Sequence, residues 1–222
     1  MVVNEHSFIL YIKSKGTVIS QAAKVENNKN KYHRILNASV KVFAELGFHQ
    51  ATISQIAREA GVADGTIYLY FKNKKDILSH FFNHTTRQVF DQFRHVVDQE
   101  AGAEDKLRAL IRMHLSEFQK YRDMAVVFQR EALLARHVNE DDIKAITRMY
   151  LDILDEIIRT GQKENTIRKS IPRGLTKRFI LGAVNEVINT WVVSDGARDL
   201  TKMADPLVDL CFEGISEIDD ER

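Results

Sequence analysis

Proline and glycine are scarce in this chain of 222 residues, which has only 2 Pro and 10 Gly. A sandwich or barrel of many short strands needs more turn residues, so those all-β classes are excluded. A collagen-like chain and a disordered chain rich in Pro and Gly are excluded for the same reason. Hydrophobic residues make up 44% and charged residues 28% of the chain, as in an ordinary globular protein of one large domain or two smaller ones.

Cysteine and long apolar runs are also lacking. Cys211 is the single cysteine, which excludes an intramolecular disulfide and a cysteine-based zinc cluster and is consistent with a reducing compartment. The apolar run Phe8–Ile12 is too short for the core of a signal peptide, and no other stretch reaches the roughly 18 apolar residues of a membrane-spanning helix. We therefore expect a cytoplasmic protein without a membrane partner.

The net charge of the whole chain is only +1, which at first argues against a nucleic-acid-binding protein. The charge is unevenly distributed, however. Residues 1–80 contain 11 Lys or Arg and 6 Asp or Glu, whereas residues 81–222 contain 21 and 25, so the two parts carry +5 and −4. A basic head on an acidic body is typical of a protein that contacts DNA locally.

Apolar residues recur at helical spacing from Tyr32 onward and predict an all-α chain of about nine helices. The preceding residues 1–30 are predicted to be a flexible, poorly ordered extension, because the stretch from Ser20 to Lys31 is polar and resembles a linker. An alternative stays open, in which the extension is a basic arm that reaches DNA, as in some helix-turn-helix proteins. Its lysines are Lys13, Lys15, Lys24, Lys29 and Lys31.

Several helix starts are marked by capping residues. Thr52 and Gln55 form a capping box at the start of a short helix, and Asn73 is placed to cap a long one. The pair Asp205-Pro206 predicts an N-cap followed by a proline in the first helical position, with an earlier start near Leu200 as the alternative.

The most specific signal lies within residues 52–71. Two short helices, the second predicted over Asp64–Tyr70, are joined by a tight turn at Gly61-Val62. This helix-turn-helix arrangement lets the second helix enter a DNA major groove about 12 Å wide. Gly65 and Thr66 stand near its N-terminus, where free N–H groups suit a phosphate. Sequence-independent affinity is expected from the lysines that follow, Lys72, Lys74 and Lys75.

Residues 32–78 resemble the DNA-binding domain of TetR-type (tetracycline-repressor-family) transcriptional regulators. Many positions match at fixed spacing, which makes the resemblance specific. The matching elements are Ala44-Glu45-Leu46-Gly47-Phe48, Thr52-Ile53, Ile56-Ala57, Ala60-Gly61-Val62, Gly65-Thr66-Ile67-Tyr68, Tyr70-Phe71 and Lys74. The resemblance implies a three-helix DNA-binding domain over residues 31–78.

The resemblance also implies which residues contact a double-stranded DNA operator. They are Thr52, Ser54, Gly65, Thr66, Tyr68, Tyr70 and Lys74. Lys72 is a further candidate because it lies beside Lys74. Ala63 replaces the serine that often caps the second helix in this family, so Asp64 either caps that helix or accepts a hydrogen bond from a cytosine amine.

The same resemblance implies that residues 79–222 form a helical domain for effector binding and dimerisation. The last two helices would pair with those of a second copy, and the segment from Arg178 to Val193 is apolar on more than one face, as such burial requires. A two-fold homodimer places its recognition helices about 34–36 Å apart, so the operator is expected to be palindromic.

A closer resemblance within the family points to the repressors of fatty-acid metabolism, which long-chain acyl-CoA releases from DNA. It rests on AGVADGTIYLYFKNKKDIL, Thr190-Trp191-Val192 and Asp195…Asp199-Leu200. We expect this small-molecule effector and no cofactor. The predicted pocket residues are Phe118, Phe128, Met149, Phe179, Asn185 and Asn189. The alternative role of the apolar residues is ordinary core packing. The alternative role of Asn185 and Asn189 is hydrogen bonding across a dimer interface. A basic rim for CoA phosphates would come from Arg130, Arg136 or Arg178.

Other functions remain as alternatives. A regulator of the same family could control an efflux or other operon and respond to a hydrophobic drug or metabolite. An enzyme is not expected, because the eight histidines form no metal motif and no Gly-rich phosphate loop is present. His80 and His84 share a helix face but lack a third ligand, and His114 is predicted to be a hydrogen-bonded core residue. A purely structural helical dimer is the last alternative.

Overall fold

The fold is all-helical, as predicted. A computed structural model describes the backbone of residues 5–132, 140–194 and 198–213, and the side chains of residues 28–85, 87–130, 144–194 and 198–213. Within these ranges nine α-helices follow one another, and their bounds are α1 Glu5–Gln50, α2 Ile53–Ala60, α3 Asp64–Ile67, α4 Lys74–Asp98, α5 Ala103–Lys120, α6 Arg122–Val127, α7 Glu140–Glu164, α8 Arg173–Val193 and α9 Ala204–Phe212. A π-helical turn, Phe128–Ala132, extends α6, and a 3₁₀ turn, Leu200–Met203, leads into α9.

The first helix differs from the poorly ordered extension predicted for residues 1–30. Helix α1 begins at Glu5 and includes the polar stretch 20–31. That stretch contains neither Pro nor Gly, and its Gln, Ala, Lys and Glu residues favour helix even though the stretch as a whole is polar. The chain changes direction at Gly47, whose φ of 75° lies in the left-handed region that glycine adopts readily.

The predicted caps of the DNA-binding domain are confirmed. The Thr52 side chain accepts a hydrogen bond from the Gln55 backbone N–H, and the Gln55 side chain accepts one from the Thr52 N–H at 2.8 Å. Gly61 ends α2 with a φ of 63°. Asn73 caps α4 by accepting from the Asp76 N–H. Helix α3 is shorter than the predicted Asp64–Tyr70. It ends at Ile67, and residues 68–70 form a turn.

The start of α9 corrects the cap predicted at Asp205-Pro206. Helix α9 begins at Ala204, two residues before the predicted first helical position, and follows directly on the 3₁₀ turn from Leu200, so the alternative of an earlier start is confirmed. The Asp205 carboxylate is engaged elsewhere, accepting from Arg108 at 2.9 Å and from Arg112 at 2.7 Å. Arg136, one of the arginines predicted for the basic rim, lies outside the described residues.

Two packed regions are joined by α4. One core joins α1, α2 and α3 through buried side chains such as Ile35, Ile56 and Ile67. The body packs α4, α7 and α9 around α5, and α1 also packs against α6. Helix α4 is continuous from Lys74 to Asp98 and therefore runs from the helix-turn-helix region into the body.

Candidate DNA-binding surface and effector cavity

The exposed face of the helix-turn-helix carries two large apolar side chains. Tyr68 is 59% exposed and Leu69 is 80% exposed, whereas Ile67 and Phe71 on either side are buried. Large exposed apolar residues at the end of a short surface helix point to a contact outside the chain. Tyr68 was predicted at this surface; Leu69 was not, although its position between two tyrosines is a signal that could have been used.

The N-termini of α2 and α3 are tied to each other. The Ser54 hydroxyl donates a hydrogen bond to the Asp64 carboxylate. Ala63 occupies the N-cap position of α3, and no side chain caps this helix. Asp64 is the first residue of α3, so the predicted capping role of Asp64 is not found. Thr52 lies at the start of α2 and is exposed, whereas Thr66 lies in the first turn of α3 and is half-buried.

Gly65 has no structural reason to be glycine within this chain. Its φ is not positive, and a Cβ added to it would meet nothing within 4 Å. Alanine would therefore fit this exposed helical position without strain. A requirement for glycine here must come from outside the chain, for example from the close approach of DNA.

Lys74 has a structural role that its charge did not suggest. Its ammonium donates to the carbonyl oxygens of Phe48, His49 and Ala51 at 2.6, 2.9 and 2.9 Å and lies 4.7 Å from the centre of the Phe48 ring. An ammonium has three N–H donors, so these carbonyls use all of them. Lys74 thus joins the start of α4 to the end of α1 and is not presented to a phosphate in this conformation.

Tyr70 and Lys72 occupy the same end of the head. Tyr70 is half-buried, and its hydroxyl donates to the Asn28 side chain at 3.2 Å, which joins the turn after α3 to α1. Lys72 is exposed, and its backbone N–H donates to the Asp76 carboxylate at 2.8 Å. Of Lys72 and Lys74, the two lysines predicted to contact the operator, Lys72 is the one whose side chain is exposed.

An apolar cavity of about 180 Å³ lies inside the body. Residues of α4, α5, α6, α7 and α8 and of the π-helical turn line it. Three of the six predicted pocket residues line it, namely Phe118, Phe128 and Asn185. The residues that the sequence did not single out for it are Thr85, Val89, Phe90, Phe93, His114, Met124, Gln129, Ile146, Thr147, Tyr150 and Leu181.

His114 and Tyr150 are the ionisable groups of the cavity wall. His114 is the histidine among them. It is only 7% exposed, and its Nδ1 lies 3.2 Å from the Tyr150 hydroxyl, so the predicted hydrogen-bonded core histidine is confirmed. Burial lowers the pKa of His114 from its usual 6.5 to about 4 and raises the pKa of Tyr150. Both groups are therefore neutral near pH 7, which suits a cavity for an uncharged chain.

The other three predicted pocket residues do not line the cavity. Phe179 is 58% exposed, because α8 turns it to the outer surface. Asn189 lines a separate recess with Arg122 and Arg130. Met149 is half-buried and packs against the core. These placements correct the prediction, since an apolar helix face does not reveal whether a core, a cavity or a partner covers it.

Two of the arginines predicted to form a basic rim, Arg130 and Arg178, donate hydrogen bonds to backbone carbonyls. Arg130 lies in the π-helical turn and donates to the Ala44 carbonyl of α1 at 3.1 Å. Arg178 donates to the Gly174 carbonyl of its own helix at 3.3 Å. Arg130 therefore connects a turn of the cavity wall to the helix that carries the DNA-binding head.

Among the described residues, no helix is both long and apolar enough to cross a membrane. The same part of the chain contains no group of three or more His, Cys, Asp or Glu side chains placed to hold a metal ion.

Comparisons with known proteins match both parts of the chain. Residues 35–81 match the model for bacterial regulatory proteins of the tetR family, and residues 82–214 match the model for the C-terminal region of YsiA-like proteins. The fatty acid metabolism regulator protein of Bacillus subtilis is 36% identical over 191 residues, which is 86% of this chain and 98% of that protein.

Two solved structures are also similar. The transcriptional regulator FadR from Bacillus subtilis, in complex with stearoyl-CoA, has a TM-score of 0.77 at 37% identity, covering 83% of this chain and 100% of that one. The fatty acid degradation regulator FadR from Bacillus halodurans has a TM-score of 0.77 at 36% identity, covering 83% and 96%. These matches, together with the helix-turn-helix head and the cavity in the body, show that the chain belongs to the TetR family of bacterial transcriptional regulators and is not an enzyme.

Proposed function

We propose that this chain is a repressor of fatty-acid-metabolism genes that binds a palindromic operator as a homodimer and is released by long-chain acyl-CoA. The observation that carries the proposal is the buried apolar cavity, whose one histidine is kept neutral by burial. The similar FadR structure from Bacillus subtilis was solved with stearoyl-CoA, which supports the same class of effector here.

The DNA contact is proposed to centre on the exposed end of α3. Tyr68 and Leu69 would contact base edges or sugars, and Gly65 would let the DNA backbone approach closely. Ser54 and Asp64 hold the two helix starts together, so Asp64 carries its charge in a hydrogen-bonded pair. The other proposed DNA contacts are Thr52, Thr66, Tyr70 and Lys72.

The homodimer is proposed to form through α8 and α9. Apolar side chains are exposed along both helices, most clearly Leu175, Phe179 and Val193 on α8 and Leu210 on α9. Exposed apolar residues grouped on one pair of helices suit a buried helix–helix interface. Phe179 is proposed to be a residue of this interface, which would account for its exposed position.

Release from DNA is proposed to be a two-state change. The effector would prefer a conformation in which the two recognition helices have a spacing that does not fit the operator. Helix α4 runs from the head to the cavity, where it contributes Phe90 and Phe93, so it is the natural lever. The contact of Arg130 with Ala44 gives the π-helical turn a second connection to the head.

A regulator that responds to a planar drug or metabolite is the second candidate. The observation in its favour is the aromatic lining of the cavity, where Phe90, Phe93, Phe118 and Phe128 contribute four rings. Aromatic walls suit flat ligands as well as acyl chains. Mass spectrometry of the ligand that co-purifies with the protein would decide between the two.

The DNA-binding proposal is tested by Tyr68→Ala, with Tyr121→Ala as the matched control because Tyr121 is an exposed tyrosine of the body at 48%. Fluorescence anisotropy on an operator duplex selected from a random library should show at least about a tenfold loss of affinity, roughly 1.4 kcal/mol, for the first variant only. Undiminished binding by Tyr68→Ala would leave a purely structural dimer as the better account.

The effector proposal is tested on the same complex with stearoyl-CoA as the probe. We expect saturating stearoyl-CoA to lower operator affinity at least about tenfold. No change in affinity at saturation would reject acyl-CoA as the effector while leaving the DNA-binding proposal intact.

A further inference from the structure

The basic segment, residues 28–34 of α1, is held on both sides of α3, the second helix of the helix-turn-helix. The Asn28 side chain accepts a hydrogen bond from the Tyr70 hydroxyl at 3.2 Å, in the turn after α3. Arg34 donates to the Ala60 carbonyl at 2.6 Å and to the Gly61 carbonyl at 3.3 Å, at the turn before α3. These contacts place the basic segment beside the helix that is proposed to meet the DNA.

A ring contact fixes which face of α1 meets the turn after α3. Tyr32 stacks on the buried Phe71, with ring centres 5.3 Å apart. Because Asn28 and Tyr32 are four residues apart, they lie on one face of α1, and that face meets the turn. Lys29 and Lys31 lie between them in sequence and flank this face on opposite sides.

The charge of this part of α1 is entirely positive. Residues 27–44 contain no Asp or Glu and four cationic side chains, Lys29, Lys31, Arg34 and Lys41. Arg34 is occupied by two carbonyls, and Lys41 is paired with Glu59 at 2.8 Å. Within the part of the chain that the structure describes, the ammonium groups of Lys29 and Lys31 have no such partner. Lys29 is exposed and Lys31 is half-buried, so both can be reached from outside the chain.

Phosphate is the partner that suits two uncommitted ammonium groups at this position. Each ammonium offers three N–H donors and a positive charge, and the phosphates of DNA offer charged acceptors at regular spacing. DNA that meets α3 also comes close to the basic segment, because the segment is held against the residues on both sides of α3. DNA is thus favoured over an acidic protein as the partner.

The basic segment is already helical in the absence of DNA. It lies inside α1, which begins at Glu5, so its lysines are presented by an ordered backbone. A flexible arm with the same charges would lose conformational entropy when it became ordered on the duplex, and the helical segment avoids that cost. Both lysines precede residue 35, where the match to the tetR-family model begins.

We propose that Lys29 and Lys31 bind DNA phosphates beside the base pairs that α3 contacts. The DNA-binding surface then extends beyond the helix-turn-helix domain onto the upstream part of α1. This inference rests on the proposed operator binding and adds contacts that carry no sequence information of their own. A homodimer has four such contacts, two from each protomer, and they strengthen binding to operator and to unrelated DNA alike.

The test is a double variant, Lys29→Gln with Lys31→Gln, which removes both charges and keeps residues that favour helix. Anisotropy between roughly 50 and 200 mM salt should show the slope of log affinity against log salt reduced by about 4, about 1 for each lysine of each protomer. The same reduction is expected on an unrelated duplex, and operator affinity should fall at least about tenfold at the lower salt concentration.

The matched control is Lys163→Gln with Lys169→Gln, which removes the same charge from two exposed lysines of the body. Its salt slope should equal that of wild type, because the body is not in contact with the duplex. An unchanged slope in the Lys29 and Lys31 variant, or an equal reduction in the control, would overturn the inference.

A second measurement locates the contacts on the DNA. Each phosphate of the operator is replaced in turn by an uncharged methylphosphonate, and the affinities of wild type and of the Lys29 and Lys31 variant are compared. Wild type should lose affinity at phosphates where the variant loses none. Equal losses in both proteins at every phosphate would overturn the inference, while operator binding by wild type would still support the proposed function. If wild type binds no selected duplex, both proposals fail.

Discussion

Acidification should destabilise this protein through the one histidine buried in its cavity wall. His114 is 7% exposed and close to Tyr150, Phe93 and Phe118, and burial lowers its pKa from 6.5 to about 4. Because the folded state holds this histidine neutral, the unfolded state binds the proton more readily between those two values. The contribution to stability is therefore complete above pH 6.5 and is lost as the pH falls toward 4.

The size of the effect follows from the two pKa values. A difference of about 2.5 pH units corresponds to a limit of about 3.4 kcal/mol in the free energy of unfolding. Between pH 7.5 and pH 5, about 2 kcal/mol of this should be lost. Other groups also titrate in this range, so the quantity to compare is the difference between wild type and a variant without the imidazole.

His114→Gln is that variant, because glutamine keeps a hydrogen-bonding group near Tyr150 but does not titrate. Urea unfolding of both proteins at pH 7.5 and pH 5 should show that wild type loses about 2 kcal/mol more than the variant. Equal losses would mean that His114 protonates normally in the folded protein and that the cavity is not apolar. The NMR titration of the His114 ring in wild type gives its pKa directly, even if the variant folds poorly.

Four further outcomes are expected. Gly65→Ala should leave the free energy of unfolding unchanged or slightly higher, because its Cβ has open space, yet lower operator affinity at least about tenfold by anisotropy. Arg130→Met removes the hydrogen bond to the Ala44 carbonyl. Calorimetry should find that acyl-CoA still binds, while anisotropy should find that the effector-induced loss of operator affinity is smaller than in wild type by about fivefold or more. An undiminished loss of operator affinity would exclude the Arg130–Ala44 bond as a connection between effector and head. Lys74→Met should cost about 2–3 kcal/mol in urea unfolding, since three carbonyls lose their donor. Lys72→Met should leave stability unchanged and reduce the slope of log affinity against log salt by about 2, about 1 for each protomer of the homodimer.

The DNA-binding head could be predicted from the sequence because its signals are local. The capping box of Thr52 with Gln55, the left-handed Gly61 and the cap at Asn73 each depend on residues a few positions apart. The structure confirms all of them. Lys74 shows the limit of this reasoning: its charge is visible in the sequence, but the three carbonyls that hold its ammonium come from residues more than 20 positions away.

The cavity could be predicted only in part, because distant segments assemble it. Phe90, His114, Tyr150 and Leu181 come from four different helices, and no spacing in the sequence relates them. Helical periodicity identifies the apolar face of each helix but not what covers that face. Phe179 illustrates the ambiguity, since its helix is apolar on several faces and this side chain is on the outer one.

The central claim is that one ligand in the body and one operator at the head compete through the conformation of the same chain. Its most direct test is reciprocal: the operator Kd is measured with and without saturating stearoyl-CoA, and the stearoyl-CoA Kd is measured with and without saturating operator. Thermodynamic linkage requires the same factor in both directions, and we predict that both Kd values rise by at least about tenfold. If both Kd values stay unchanged, stearoyl-CoA does not control DNA binding and the account is wrong.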